Sequence, residues 1–374
     1  MTDKKITGGQ VQVMIAMFLF GSSFVMSSSS KSNQDIWVTF LLGGLMMLPM
    51  IFIYCSLIKR YPNKNLFDII LLLFGKIAGK IICILYIWYA VHIGSMVLRT
   101  FTEFIHIMNM PETPQIAIAA SICLLSVFAV VSGPENMGRI AKITFPVMAG
   151  FIVFTVLISV KDMDFNNIKP VLSTDFGPLL QGSFTVFSLP FGEIIAFLTL
   201  FPSVKSKNNP KKIFITGLIL AIILLLLAHL RNLLVLGLPS VQMYYFASYQ
   251  SVSIISVGEF FTRMEVLIGI NVLLGGFIKI FVFLFTASVG LATTCNIKDY
   301  KKAVVPCMLI INLLSRIDFQ NTIEVVEWIV YHPIYVLTFQ VILPVVMLII
   351  ALIKTRKMKP AEVQAELENI GTLE

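Results

Sequence analysis

The chain is short of charge: only 13% of its 374 residues are Asp, Glu, Lys or Arg, against 57% apolar residues and a mean hydropathy of +0.90. A soluble domain carries about twice that charged fraction, so a soluble globular fold is excluded. Cysteine is sparse and unpatterned. Cys55, Cys83, Cys123, Cys295 and Cys307 stand singly in or beside apolar runs, without CxxC or Cys/His ligand spacing, and read as packing residues. Ser/His/Asp arrangements, phosphate-binding loops and His/Asp/Glu clusters of metal spacing are missing too. Enzyme activity, a metal or other cofactor, and direct ATP use therefore have no support. Segments of ten alternating residues are absent, which argues against a β-barrel. The net charge of +8 comes from bases in short separate loops with no aromatic-studded face. It speaks for attraction to anionic lipid headgroups and against a nucleic-acid partner.

What the chain has is membrane-length apolar segments. Ten of them, beginning near Gly9, Ile36, Ile81, Ile116, Ile140, Phe176, Ile213, Met264, Ala303 and Tyr335, predict an all-α protein with ten transmembrane helices, since a ~30 Å hydrocarbon core takes about 20 residues of helix. The ninth, Ala303 to Leu314, is the shortest and contains Pro306 and Asn312. If the N-terminus is cytoplasmic, the inside segments at 4–5, 59–80, 139–142, 205–212, 298–302 and 354–359 hold 20 of the 28 Lys and Arg, which predicts both termini inside. Lys4 and Lys5 before an apolar run look like a signal peptide, but Gly9 to Met26 is long for one and Ser27 to Ser30 is no clean cleavage site, so this is read as an uncleaved first span.

The loops give the organisation. Tyr61 to Lys80 is apolar in its middle and charged at its ends, and predicts a cytoplasmic helix along or beneath the bilayer. Lys161 to Pro178 is read as an ordered outer loop. Pro239 to Thr262, with Tyr244, Tyr245, Phe246 and Tyr249, is read as an outer segment able to lie over a vestibule as a lid, and Pro360 to Glu374 as the end of a mobile cytoplasmic tail over 355–374. Five spans in residues 9–160 and five in 176–354 would form oppositely oriented halves of one transmembrane domain, an inverted 5+5 repeat.

Two spans in corresponding positions are interrupted, the first by Gly21-Ser22-Ser23 and the sixth by Leu189-Pro190-Phe191-Gly192-Glu193. Backbone without partners is expensive in hydrocarbon, so such breaks survive where they face protein, water or a ligand. Gly21 and Gly192 let a ligand approach the main chain, Ser22 and Ser23 offer hydroxyls, and Pro190 removes a helical hydrogen bond. A half-helix N-terminus suits a carboxylate and freed carbonyls suit an ammonium, so an α-amino acid is the simplest ligand for both breaks. The bland reading is a small-residue packing face and a kink. Glu193 has three roles open to it: binding the ligand ammonium, gating through a basic partner, or staying protonated as a structural acid. Lys279, about 15 residues from either end of its segment, lies too deep to snorkel and is the natural partner. In span three, His92, Arg99, Glu103 and His106 share a face; Arg99 and Glu103 can pair at i, i+4, as a coupling or gating element or a structural ion pair.

The outer motif Phe165-Asn166-Asn167-Ile168-Lys169-Pro170-Val171-Leu172 with Gly177-Pro178, the break Pro190-Phe191-Gly192-Glu193, Asn65-Leu66-Phe67-Asp68 with Phe74-Gly75-Lys76, and Arg99 with Glu103 together resemble the B subunits of bacterial spore nutrient-germinant receptors, the endospore germination permeases of the amino acid/polyamine/organocation superfamily. The resemblance covers residues 6 to 356. It implies a leucine-transporter-type fold with broken helices 1 and 6, a place in the spore inner membrane, and a complex with an A subunit and a lipoprotein C subunit. The function expected is sensing of a small-molecule germinant, an amino acid first. Alternatives are a proton-coupled amino acid permease and a water- or ion-conducting structural subunit.

Overall fold

Long apolar segments can close all of their backbone hydrogen bonds internally only as helices, and the computed structural model shows helices throughout. It describes residues 5–23, 32–108, 110–205, 208–254, 264–319 and 322–357. The Ser27 to Ser30 run, residues 255–262 of the outer segment ending at Thr262 and the tail Pro360 to Glu374 lie outside the described residues. The helices are α1 Gly8–Ser23, α2 Ile36–Arg60, α3 Leu66–Met108, α4 Gln115–Ser132, α5 Pro134–Ser159, α6 Phe176–Ser188, α7 Pro210–Met243, α8 Ala247–Ser253, α9 Glu265–Thr294, α10 Lys301–Ile317, α11 Thr322–Leu337 and α12 Leu343–Lys357.

Eight helical stretches among the described residues are long and apolar enough to cross a membrane. The two other expected spans correspond to α1, of 16 residues, and α10, of 17. The last long stretch runs Glu327–Lys354, so its start lies upstream of the expected Tyr335. Glu327 and His332 are both helical.

Local sequence explains the turns. Gly75 takes φ 77°, ψ −176° and divides α3 into a short helix and a long span beginning at Lys76. Asn65 and Asp68 cap the short helix reciprocally: the Asn65 side chain accepts from the amides of Phe67 and Asp68, and Asp68 accepts from the Asn65 amide. Burial raises the Asp68 carboxyl above its ordinary range, opposed by the Asn65 amide and Lys64. Its apolar face is buried and fastened to the bundle, with Lys354 Nζ donating to the Leu72 carbonyl at 2.8 Å. The outer motif is ordered by side chains as well. Asp35 at the start of α2 accepts from the amides of Leu172 and Thr174, and Asn167 donates to the Leu234 carbonyl of α7. Phe246 and Tyr249 of the second outer segment pack on Phe104 near the end of α3.

The inner helix is α9, whose residues Ile278 to Ser288 are all buried, between α1 and α3. This core places spans one, three, six and eight side by side.

The cation distribution predicts sidedness. A single cysteine at position 166 in a cysteine-free background is expected to react with a membrane-impermeant thiol reagent only from the side opposite Lys205 to Lys212. Labelling from the same side as that loop would overturn the topology.

Candidate functional site

The sixth span is interrupted where Pro190 and Gly192 fall. The α-helix stops at Ser188, Leu189 is extended, and the chain continues from Phe191 to Thr199 as a nine-residue 3-10 helix. Runs of this tighter helix beyond three or four residues are uncommon and mark strained or hinge-like segments. Glu193 lies near its start with 0% exposure.

The carboxylate of Glu193 is paired with Lys279 Nζ of α9, and both side chains are fully buried. Phe18 of α1 lies under the ammonium at 5.0 Å from its ring centroid, a placement in which the π face adds to the attraction. Phe197 and Phe283 enclose Phe18 in turn. At this depth either charge alone would be costly, so the pair is the condition for having both.

On its other side Glu193 borders a small, partly open hollow of about 30 Å³ between α3, the break and α11, lined by Ile93, Met96, Val97, Thr100, Leu189, Val325, Trp328, Ile329 and His332. The lining is apolar with a few polar groups. Beyond Lys279, Glu193 has no hydrogen-bond partner among the described residues, and neither His332 Nδ1 nor Trp328 Nε1 has one. An apolar lining with convergent unsatisfied polar atoms is a feature of small-molecule sites, and a ligand larger than a few waters would need the walls to part.

The expected site residues separate into groups. Glu193 and Lys279 meet. Pro190 sits at the break, and Phe191 is buried against Phe40 of α2. Gly192 is covered by a side chain of the protein itself: a Cβ there would overlap Gln340 Oε1. Gly21 is helical within α1 and lies against the Gly275 backbone of α9, where a Cβ would meet the carbonyl carbon and oxygen at 2.6 Å. That is close helix packing, the arrangement set out above as the bland reading. The side chains of Ser22 and Ser23 lie outside the described residues. Arg99 and Glu103 form an ion pair of 3.8 Å away from the Glu193 cavity. His92 sits among Trp88, Trp328 and Tyr335, while His106 contacts the Thr113 carbonyl, so the shared face of span three has several environments.

Two features were not read from sequence. Gln340 lies in a π-helical turn, Thr338–Ile342, whose freed carbonyls at Phe339 and Gln340 accept from Tyr86 and Tyr54; its amide donates to Tyr89 Oη and to the Ser188 carbonyl at the break. A lone amide in a strongly apolar run was its only signal. His332 lies upstream of the expected start of the tenth span near Tyr335.

The fold is that of the leucine-transporter type of membrane protein. Solved structures agree at low sequence identity. MhsT in complex with L-phenylalanine superposes with a TM-score of 0.67 at 15% identity, over 96% of this chain and 91% of that one. Mhp1, a nucleobase-cation-symport-1 family transporter in a closed conformation with bromovinylhydantoin bound, gives 0.66 at 13% identity, over 96% and 81%. Within that class the sequence is specific: residues 5–323 match the family described as spore germination protein, and the chain belongs to it. Spore germination protein KB of Bacillus subtilis (strain 168) is 28% identical over 364 residues, 96% of this chain and 97% of the relative. Spore germination protein YndE of the same organism is 23% identical over 314 residues, 81% and 84%.

Proposed function

We propose that this protein is a nutrient-sensing membrane subunit of a spore germinant receptor, in the spore inner membrane with A and C subunits, and that it binds an amino acid in the cavity beside Glu193. The carrying observation is the buried Glu193–Lys279 pair at the wall of an apolar cavity next to a broken span. An arriving α-ammonium competes with Lys279 for the carboxylate, while Trp328 and His332 offer polar atoms to the rest of the ligand. A ligand that rearranges this pair binds one conformation of span six better than another, and that differential affinity is what a receptor converts into a signal. The arrangement of five and five oppositely oriented spans belongs to the same proposal.

The same ion pair favours a second reading, an amino acid permease coupled to protons, because a carboxylate and an amine in contact at mid-membrane can exchange charge with a substrate. Uptake of labelled amino acid by proteoliposomes would establish that reading and its absence would remove it.

The test of binding is thermal stabilisation of the purified protein across amino acids, sugars and nucleosides. A true ligand at a hundred times its Kd adds about 2.7 kcal/mol. The expected result is stabilisation by an amino acid that is lost in Glu193→Gln. Stabilisation by sugars or nucleosides alone would overturn the assignment of ligand class.

A further inference from the structure

A second cavity, of about 60 Å³ and open on one side, lies on a different side of α3, between α3, α4 and α10. Its character is opposite to that of the first. Arg99 and Thr102 of α3, Gln115 of α4, and Ser315 and Arg316 of α10 converge on it. Arg99 has one carboxylate near it, Glu103, at 3.8 Å, too long for a hydrogen bond. Arg316 makes no ion pair with a carboxylate among the described residues. Thr102 Oγ1 accepts from Gln115 at 3.3 Å, so the neutral groups are already arranged around the two guanidinium groups.

Depth and surroundings decide what anion fits. Lys302 and Arg316 lie near opposite ends of α10, about 21 Å apart along the axis at 1.5 Å per residue. With the lysines at one interface, the Arg316 backbone stands about two-thirds of the way across a ~30 Å core, and its long side chain can reach toward the opposite acyl–headgroup boundary. The mouth is flanked by exposed apolar side chains, Ile116 at 58%, Leu313 at 57% and Ile317 at 64%, which in this setting face acyl chains. A cationic hollow with an apolar rim at that depth matches a phosphodiester whose tails lie along the rim.

We infer that this cavity is a specific site for the headgroup of an anionic phospholipid, with Arg316 and Arg99 on the phosphate and Thr102, Gln115 and Ser315 around it. The leaflet is the one opposite Lys301 and Lys302. The site stands apart from the Glu193 cavity, so it is independent of the ligand proposed there.

Native mass spectrometry of the detergent-purified protein, incubated with dioleoyl-phosphatidylglycerol, dioleoyl-phosphatidylcholine or inorganic phosphate, tests this. One phosphatidylglycerol is expected to be retained per chain, with no comparable retention of phosphatidylcholine and no displacement by millimolar phosphate. Arg316→Gln, at an exposed position and so tolerated by the fold, is expected to lower retention at least about tenfold, and Arg316→Lys by less, because the ammonium keeps charge without the planar fork. Lys301→Gln with Lys302→Gln leaves retention unchanged if the site is as described. Equal retention of both lipids, displacement by phosphate alone, or an equal loss in the lysine variant would each overturn the assignment. An acidic peptide that outcompetes phosphatidylglycerol would do so too, by making the surface a protein contact.

Discussion

Glu193→Gln and Lys279→Gln are each expected to destabilise the folded protein by about 3–5 kcal/mol, because each leaves one fully buried ionisable group without its counter-charge. Glu193→Gln leaves the ammonium against the Phe18 ring with no anion, and Lys279→Gln leaves the carboxylate facing an apolar cavity. The double variant removes both demands and should recover part of the loss. Thermal unfolding of the wild type, both single variants and the double variant completes the cycle, with a coupling energy of roughly 0.5–3 kcal/mol expected for residues in contact. Additive losses would mean that the two groups act separately in spite of their proximity. Ligand response should fall in all three variants, which separates a site residue from a purely structural pair.

Gly21→Leu is expected to lose folded protein rather than ligand response alone. The new Cβ would stand 2.6 Å from the carbonyl carbon and oxygen of Gly275, and these are main-chain atoms that move only if a helix moves. Overpacking a tight contact costs about 1–3 kcal/mol, and the remainder of a leucine adds to it. Gly275→Ala approaches the same contact from the other helix, with a Cβ 2.8 Å from Gly21 Cα, and should lower the melting temperature likewise. Gly192→Ala differs, since its obstacle is the end of the Gln340 side chain, which can swing away at the expense of two hydrogen bonds. A Gly21→Leu protein with unchanged melting temperature and abolished ligand stabilisation would return Gly21 to the ligand.

The sixth span was legible because three residues there point the same way: Pro190 cannot donate, Gly192 has no side chain, and Glu193 is too costly at depth without a purpose. Lys279 was legible as its partner for the same reason of cost. Gly75 figured only in the Phe74-Gly75-Lys76 motif, and its kink falls inside the stretch Tyr61 to Lys80 read as one helix, so that span three begins at Lys76 and not near Ile81. Gly21 was not readable in this way. A glycine that admits a ligand and one that admits a neighbouring helix are identical in sequence, and the residue that distinguishes them, Gly275, lies far along the chain. Gln340 was hidden by a similar limitation, since the carbonyls of its π turn accept from tyrosines of α2 and α3, which leave no pattern within its own span. Arg231 in α7 is fully buried with Asn232, Thr155 and the Ser248 carbonyl as hydrogen-bond partners, a polar knot that long-range packing alone creates.

The nine residues from Phe191 to Thr199 advance about 2.0 Å each in their present winding, and the same residues wound as an α-helix would advance about 1.5 Å each. Rewinding the segment would shorten it by about 4.5 Å. It would also turn one end against the other by roughly half a revolution, because each residue would sweep about 100° in place of 120°. Span six thus carries slack of a screw's kind, and Glu193, near the Phe191 end of the thread, ties that end to Lys279 of α9.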